Sequence, residues 1–410
     1  MKLTKLGVLA AAAIVAVSAC TGAPGQGGTK GTIQVWSELP RQGSSKGQTD
    51  TIVNAIKLAI EERGGAVDGW TINYVDQDDS TAEAGAWTPE RATALATEAA
   101  GTADLVGYIG TFNSGAAKIG IPVLCRAGIP MVSPANTYPG LTKPGKGEPN
   151  EPGIYYPDGC KHNYFRVVPA DDLQGDVGAR WAQELGFTKV YVVDDSQIYG
   201  KGIADVFDAS SREIGLEVLG HDQITGRETD YKALAEKIKG TAPDLVYFGG
   251  ITQQNAGQLW RDIKEAMPDV ALMGPDGIYE QAFLEAAGEA AEGTYLTFGG
   301  TTADQYEGKA AEFRDKYTAK YGGELEVYTI YGYESANVLL AAIETASKGG
   351  AADPAALRSA TIDALAATKD YPGVLGTWSF DENGDTSLLT FSGTQVVEGE
   401  FEFQKVLGGS

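Results

Sequence analysis

Short apolar runs alternate along the first third of the chain with stretches in which apolar residues recur every three or four positions. In residues 48–62, for example, Ile52, Ile56 and Ile60 fall on one helical face. Such alternation is typical of an α/β fold, in which helices cover both faces of a mostly parallel sheet. The predicted strands in this part are 32–36, 71–75, 104–109 and 129–132, and the helices include 48–62 and 89–100.

The pattern breaks at residues 139–163, where Gly and Pro are mixed with charged residues, which predicts a long surface loop. A second alternation then runs from residue 164 to residue 298. Its predicted strands are 164–168, 189–193, 216–219, 245–248, 270–273 and 294–298, and its predicted helices are 173–185, 202–214, 231–239, 254–266 and 281–287. The chain is therefore predicted to form two similar sheets in tandem.

The last hundred residues predict helices first and strands afterwards. The helices are 304–321, 335–347 and 354–366, and the strands are 376–380, 388–391 and 395–403. An acidic turn at residues 381–385 could suggest a calcium loop, but its Gly is misplaced for an EF-hand and no Glu closes it at the twelfth position. We therefore predict a hairpin turn there.

The N-terminus has the features of a secretion signal. Lys2 and Lys5 precede an apolar run at residues 6–17, which is too short for an ordinary transmembrane helix. Residues 17–20, Val-Ser-Ala-Cys, resemble a bacterial lipobox, in which the thiol of Cys20 receives a lipid. We expect residues 1–20 to be a lipoprotein signal peptide, with the protein outside the cytoplasm and anchored to the bacterial cell membrane. The alternatives are cleavage after Ala19 with a free Cys20, and a permanent anchor helix.

Residues 21–31 are rich in Gly, which predicts a flexible tether between the membrane and the folded protein. Two further cysteines, Cys125 and Cys160, remain, and outside the cytoplasm a leftover pair more often oxidises than stays free. We predict a disulfide that ties the long loop back to the first half of the chain. The alternative is a metal site at Cys160 and His162, which offers only two of the three or four ligands that zinc prefers.

Charge and motif content narrow the possible functions. The 55 acidic and 32 basic residues give a formal charge of −23, the wrong sign for a nucleic-acid partner. There are only two histidines, and the S-x-x-K, H-E-x-x-H and Walker lysine motifs do not occur. The sequence thus gives no support for an enzyme, and we expect no catalytic residue, no cofactor and no metal.

Three strand-end segments give the chain its family resemblance. The sequence from Thr32 to about Val406 resembles the type I periplasmic solute-binding proteins of ABC transporters, in particular the leucine/isoleucine/valine-binding group. The carrying segments are Gly-Thr-Phe-Asn-Ser-Gly at 110–115, Val-Ser-Pro-Ala-Asn-Thr at 132–137 and Gly-Pro-Asp-Gly at 274–277, and the supporting ones are at 76–79, 195–202 and 380–385. The resemblance implies two Rossmann-like lobes with parallel sheets, joined by three hinge crossings near residues 169, 299 and 378.

The same resemblance implies an amino-acid site in the cleft between the lobes. Positions matching Ser114, Ala135 and Thr137 hold the α-carboxylate of the ligand and help to receive its ammonium. Asp276 supplies the negative charge for the ammonium from the opposite lobe, and Tyr199 packs on the ligand. The residues agree with this independently, because Ser114 would begin a helix whose free N–H groups attract an anion.

Each of these residues also has a purely structural interpretation. Ser114 could be an N-cap, Asn136, Thr137 and Asp276 could be turn residues, and Tyr199 could be a packed aromatic. The family often places an aromatic side chain in the N-terminal loop over the ligand, but residues 43–47 contain none. The remaining candidates for ligand contact are Trp36, Phe112, Ser133, Asn136, Ile251, Thr252 and Tyr279.

The domain division follows the same resemblance. We expect lobe 1 at residues 32–168 plus 299–378 and lobe 2 at residues 169–298 plus 379–410. The resemblance further implies a monomeric receptor that closes on an α-amino acid and delivers it to an ABC permease and its ATPase. The alternatives are the same fold with a non-amino-acid ligand such as an amide, urea or an aromatic acid, or a sensory ligand-binding protein.

Overall fold

A computed structural model describes residues 29–323 and 325–408 of the chain. The predicted signal peptide, Cys20 and the predicted tether up to residue 28 lie outside these residues. The tether was predicted to extend to residue 31, but the first strand already begins at Gly31, so the end of that prediction is wrong. Within the described part of the chain, no helix combines the length and the apolar character needed to cross a membrane.

Strands and helices alternate over most of the described chain. The strands are β1 (Gly31–Leu39), β2 (Ala66–Val67), β3 (Trp70–Asp78), β4 (Ser80–Thr81), β5 (Ala86–Trp87), β6 (Leu105–Gly110), β7 (Met131–Ser133), β8 (Tyr164–Arg166), β9 (Lys189–Asp194), β10 (Glu217–Gln223), β11 (Leu245–Gly249), β12 (Ala271–Gly274), β13 (Tyr295–Gly299), β14 (Tyr371–Gly373), β15 (Gly376–Trp378), β16 (Phe391–Val397) and β17 (Glu400–Leu407). The helices are α1 (Lys46–Glu62), α2 (Pro89–Gly101), α3 (Ser114–Arg126), α4 (Asp171–Glu184), α5 (Ile198–Glu213), α6 (Lys232–Lys239), α7 (Ala256–Ala266), α8 (Gln281–Ala287), α9 (Gly308–Tyr321), α10 (Thr329–Lys348) and α11 (Pro354–Ala366).

The first sheet has the strand order β2-β3-β1-β6-β7-β8 and is parallel except for β2. Successive residues of its strands point to opposite faces, so each strand serves two cores. Val35 and Val106 pack with α1 and α10 on one face, whereas Leu105 and Tyr108 pack with α3 on the other. We call this sheet with α1–α3 and α9–α11 lobe 1.

The second sheet has the strand order β10-β9-β11-β12-β13-β16-β17. Its first five strands are parallel, and β16 and β17 continue it in antiparallel fashion. Val192 and Tyr247 pack on the side of α4 and α5, and Val193 and Phe248 pack on the side of α7. We call this sheet with α4–α8 lobe 2. The two α/β lobes with mainly parallel sheets that the sequence predicts are confirmed.

The long loop between β7 and β8 contains only short 3-10 turns, and buried polar contacts within it hold it in place. The buried carboxylate of Glu151 accepts hydrogen bonds from the hydroxyls of Tyr138 (2.9 Å) and Tyr155 (2.5 Å), and it pairs with the Lys118 ammonium (2.9 Å). Cys125 at the end of α3 is joined by a disulfide to Cys160 near the end of the loop. The sulfur of Cys160 is therefore not available as a metal ligand.

The C-terminal strands differ from the prediction. The run predicted as a single strand at 395–403 is divided by a tight turn at Glu398 and Gly399, both of which have positive φ, into β16 and β17. The signal that was overlooked is the Glu-Gly pair, because Gly takes up positive φ without strain. The acidic turn at 381–385 is a turn as predicted, and its Asp385 forms a buried ion pair of 2.6 Å with Arg166.

Candidate ligand-binding site

A small cavity of about 30 Å³ lies between the two lobes, at the carboxyl ends of their parallel strands. In open α/β sheets this is the edge where ligands bind. The cavity is lined by Trp87, Phe112, Asn113, Ser114, Gly115, Ala135, Gln197, Tyr199, Ile251, Asp276, Gly277 and Tyr328. Six of the sequence-predicted site residues are in this set, and no Lys or Arg belongs to it.

The lobe 1 side of the cavity is the first turn of α3. Ser114 opens this helix directly after the loop that follows β6, and its side chain is buried. The helix has no acidic residue in its first turn, and the side chain of its N-cap, Asn113, makes no capping hydrogen bond. The first amides of a helix have no partner within it and carry partial positive charge. This turn can therefore receive an anionic group.

The second predicted loop of lobe 1 lies directly beside α3. Ser133 Oγ accepts hydrogen bonds from the amides of Ala135 (3.2 Å) and Asn136 (2.9 Å) and donates one to Thr111 O (3.0 Å). Asn136 Nδ2 donates to Phe112 O at 2.9 Å, which ties the two loops together. Ser133 and Asn136 thus hold the two loops in position through hydrogen bonds, whereas Ala135 lines the cavity itself.

Asp276 is the lobe 2 carboxylate of the site. It follows β12 in the Gly-Pro-Asp-Gly turn and is only 4% exposed. It accepts hydrogen bonds from Gln174 Nε2 (2.6 Å), from the Tyr199 hydroxyl (3.0 Å) and from the Tyr328 hydroxyl. Burial raises the pKa of Asp276, and these three hydrogen bonds act in the opposite direction. The predicted turn interpretation and the predicted site interpretation of this residue are both compatible with its position.

A second buried carboxylate, Asp171, stands behind Asp276. It is the first residue of α4, and its amide donates to Thr137 O at 2.9 Å. Burial and the neighbouring Asp276 charge raise the pKa of Asp171 well above its ordinary value, while the Thr137 hydroxyl and Arg166 lower it. Because Arg166 is already paired with Asp385, the two carboxylates form a region that favours a positive charge.

Aromatic side chains enclose the rest of the cavity. Tyr199 lies in the first turn of α5, and its hydroxyl also accepts a hydrogen bond from the Gly277 amide at 3.0 Å. Phe112 and Tyr328 meet edge to face, with ring centroids 5.8 Å apart. Together with Ile251 these rings make an apolar wall opposite the polar groups.

Six of the predicted candidates do not line the cavity: Ser133, Asn136 and Thr137 of the loop after β7, and Trp36, Thr252 and Tyr279. Trp36 packs under the first sheet and donates to Gln34 Oε1 at 2.7 Å, because its position in β1 points it toward the helices rather than the cleft. Tyr279 packs on Phe401 in lobe 2, with centroids 4.2 Å apart. Thr252 follows Ile251 but directs its hydroxyl to the Gly277 carbonyl oxygen at 3.5 Å.

Several functional residues escaped the sequence analysis. Trp87 belongs to β5, a strand of only two residues with no periodicity to reveal it. Tyr328 precedes α10, far along the chain from the strand-end segments. Asp171 has the ordinary signature of an acidic residue in the first turn of a helix. Only the proximity created by folding identifies these side chains as parts of the site.

One pentapeptide next to the cleft, Gly-Ser-Ser-Lys-Gly at 43–47, fits the G-x-S-x-G spacing of a hydrolase nucleophile elbow. Its central Ser45 precedes α1 and donates to Glu280 Oε1 at 3.5 Å. Both histidines are engaged elsewhere: His162 packs on Tyr156, and His221 lies between Asp194 and Asp208. Ser45 therefore has no histidine base, and the match gives no support for hydrolysis.

The sequence matches the periplasmic binding protein family over residues 37–397. A Leu/Ile/Val-binding protein of Rhizobium johnstonii is 29% identical, over 86% of this chain and 88% of that protein. An amino acid binding protein of Pseudomonas aeruginosa is 30% identical, over 80% of this chain and 79% of that protein. A crystal structure of a leucine binding protein from Thermotoga maritima has the same fold, with a TM-score of 0.79 at 24% identity, over 92% of this chain and 99% of that one.

Proposed function

The chain belongs to the periplasmic binding protein family, and we propose that it is the substrate-binding component of an ABC importer for an α-amino acid, branched-chain or related. The observation that carries the proposal is the arrangement of charge in the cleft. The first turn of α3 in lobe 1 attracts an anion, and the buried carboxylates of Asp276 and Asp171 in lobe 2 attract a cation. An α-amino acid carries both charges on neighbouring atoms.

We propose a role for the residues on each side of the ligand. The carboxylate of the amino acid accepts hydrogen bonds from the α3 amides, from Ser114 and from the loop at Ala135 and Thr137. Its ammonium faces Asp276, whose position is fixed by Gln174, Tyr199 and Tyr328. The side chain of the amino acid packs on the apolar wall formed by Phe112, Ile251 and the aromatic rings.

Such a ligand favours the closed receptor, because it contacts both lobes only when they are together. Binding shifts the hinge equilibrium by the difference between its affinities for the closed and the open state. We place the hinge crossings near residues 169, 299 and 378, and we expect an ABC permease with its ATPase to respond to the closed form. No step of this cycle requires a catalytic residue or a cofactor.

The N-terminal sequence supports a proposal for where the protein acts. A lipid on Cys20 would hold the monomeric receptor at the outer face of the cell membrane, with residues 21–30 as the tether. In a detergent phase-separation experiment we expect the full-length protein to enter the detergent phase and Cys20→Ser to remain in the aqueous phase. Equal partition of the two proteins would contradict the lipid anchor. Light scattering of the protein without residues 1–20 tests whether the receptor is a monomer in solution.

The decisive experiment measures thermal stability of the protein without residues 1–20 in the presence of the common amino acids and of amides, urea and aromatic acids. A ligand at about 100 times its dissociation constant adds about 2.7 kcal/mol to the free energy of unfolding. We expect an aliphatic α-amino acid to raise the melting temperature. A response to an amide, to urea or to an aromatic acid alone would contradict the amino-acid assignment and leave the receptor fold unaffected.

A further inference from the structure

The hairpin formed by β4 and β5 is fixed at the mouth of the cleft in lobe 1. Asp78 at the end of β3 accepts hydrogen bonds from the amides of Ser80 (2.8 Å) and Arg41 (2.9 Å). The Arg91 guanidinium donates to the Asp78 carbonyl at 3.0 Å, and the Thr88 amide donates to the Asp79 carbonyl at 2.9 Å. These bonds hold both ends of a hairpin that has only two residues in each strand.

The turn of the hairpin touches the N-terminal loop backbone to backbone. A Cβ atom placed on Gly43 would lie 1.6 Å from the carbonyl oxygen of Gly85. Both glycines have positive φ, 77° at Gly43 and 57° at Gly85. Side chains at this contact would push the two segments apart. The glycine in the N-terminal loop, where no aromatic residue occurs, therefore allows the hairpin to approach the cleft.

The close approach places the indole of Trp87 over the anion-binding turn of α3. A Cβ atom on Gly115 would lie 2.5 Å from Trp87 Cζ2 and 2.6 Å from Cη2, so the ring rests directly on this glycine. Gly115 is the neighbour of Ser114, and Trp87 lines the cavity together with Tyr199 and Ile251. Trp87 is half-buried, with part of the ring facing the cleft.

We propose that Trp87 is the lid of the ligand site and determines which amino-acid side chain the receptor accepts. The inference rests on the proposed function and specifies its ligand as an amino acid with a small aliphatic side chain. Apart from Asp276 the residues that line the cavity are uncharged, and they include Trp87 and Ile251, so the site can accept an apolar group away from Asp276. The rigid indole limits its size, because a larger side chain would have to displace the ring from Gly115.

The test compares the binding of valine, isoleucine and phenylalanine by calorimetry to the wild-type protein without residues 1–20 and to Trp87→Ala, Trp87→Phe and Gly115→Ala. In Trp87→Ala we expect the affinity for valine to fall at least tenfold and the preference for valine over phenylalanine to fall at least tenfold. Trp87→Phe keeps a ring and is expected to retain most of the preference. Gly115→Ala keeps the indole but displaces it, and is expected to lose part of the preference.

Tryptophan fluorescence gives an independent readout that a merely structural role would not change. We expect valine to alter the emission of the wild-type protein and of Gly115→Ala, and to alter that of Trp87→Phe much less. An unchanged preference for valine over phenylalanine in both Trp87→Ala and Gly115→Ala would overturn the proposal that Trp87 is a lid, and it would leave the proposed function unaffected. If the wild-type protein binds no amino acid at all, the proposed function and the lid are both overturned.

Discussion

The ring of Tyr138 in lobe 1 lies against the backbone of Gly202 in lobe 2. A Cβ atom on Gly202 would lie 2.7 Å from Tyr138 Cδ2 and 2.9 Å from Cε2. Tyr138 stands at the start of the long loop, and Gly202 is in α5 directly after the turn that carries Tyr199. The absence of a side chain at Gly202 thus lets the two lobes come together at this point.

Gly202→Val is expected to hold the lobes apart. Overpacking of a fitted contact costs about 1–3 kcal/mol, so we expect ligand affinity to fall by roughly 5- to 150-fold. The melting temperature without ligand should change little, because the open protein avoids the clash. Calorimetry and small-angle scattering measure the two effects. Gly101→Val, at an exposed helix end with no atom within 4 Å of the added Cβ, is the matched control. Wild-type affinity in Gly202→Val would contradict the contact's role in closure.

Asp276→Asn tests the proposed ammonium site. The amide keeps the size of the side chain but loses its charge, and hydrogen bonds to charged groups contribute about 1.5–3 kcal/mol. We therefore expect the affinity for an α-amino acid to fall by roughly 10- to 150-fold. The fold should persist, because burial already disfavours the ionised form of this carboxyl. Asp315→Asn, at an exposed position, is the control. Equal loss in both variants would indicate a general charge effect instead.

The disulfide between Cys125 and Cys160 is expected to stabilise the folded protein because it lowers the conformational entropy of the unfolded chain. It closes a loop with a sequence separation of 35 residues, for which chain-entropy arguments give about 3–4 kcal/mol. Cys125→Ser/Cys160→Ser should therefore unfold at lower denaturant concentration. Ligand affinity should change less than twofold, because Glu151 still holds the loop next to Tyr138. Wild-type stability of the double variant in urea would contradict the expectation.

The sequence predicts the layered α/β architecture well because each buried strand and each amphipathic helix has its own periodicity. The strand-end segments around Ser114, Ala135 and Asp276 could likewise be found, since the ends of parallel strands meet at one edge of a sheet. Periodicity does not reveal which residues near the carboxyl end of a strand reach the cleft. For that reason Trp36 was predicted to contact the ligand, whereas it packs under α3.

The rest of the site depends on approaches between distant segments. Trp87 reaches the cleft because Gly43 and Gly85 touch, and Tyr328 reaches Asp276 from the segment before α10. Neither contact has a local pattern, since a two-residue strand and a helix-flanking tyrosine occur in many proteins without such a role. The charge environment of Asp171 also becomes visible only when Asp276 is placed beside it.

The two lobes also meet at the mouth of the cleft through polar groups. Ser45, the N-cap of α1 in lobe 1, donates to Glu280 of lobe 2 at 3.5 Å, and Gln48 Nε2 donates to the Tyr279 carbonyl at 3.2 Å. Glu280 is 3% exposed in this closed arrangement. The pKa of Glu280 is raised to about 8, mainly because the carboxyl is buried; hydrogen bonds from Thr252 and Ser45 lower this pKa and the charge of Glu326 raises it. Opening the lobes would return this carboxyl to water and to a pKa of about 4.3.

Closure is therefore expected to weaken with rising pH. Glu280 has the higher pKa in the closed state, so the closed state binds the proton more tightly than the open state. The contribution of this proton to the stability of the closed state is complete below about pH 4.3 and is lost as the pH rises to about 8. Ligand affinity measured by calorimetry between pH 5.5 and 8.5 should fall in the wild-type protein. Glu280→Gln removes the ionisation while it keeps the side-chain shape, so its affinity should fall less over the same range and exceed that of the wild type at pH 8.5. Because Asp171 and Asp276 titrate in both proteins, the difference between the two curves isolates Glu280. Parallel curves would show that Glu280 does not couple closure to protonation.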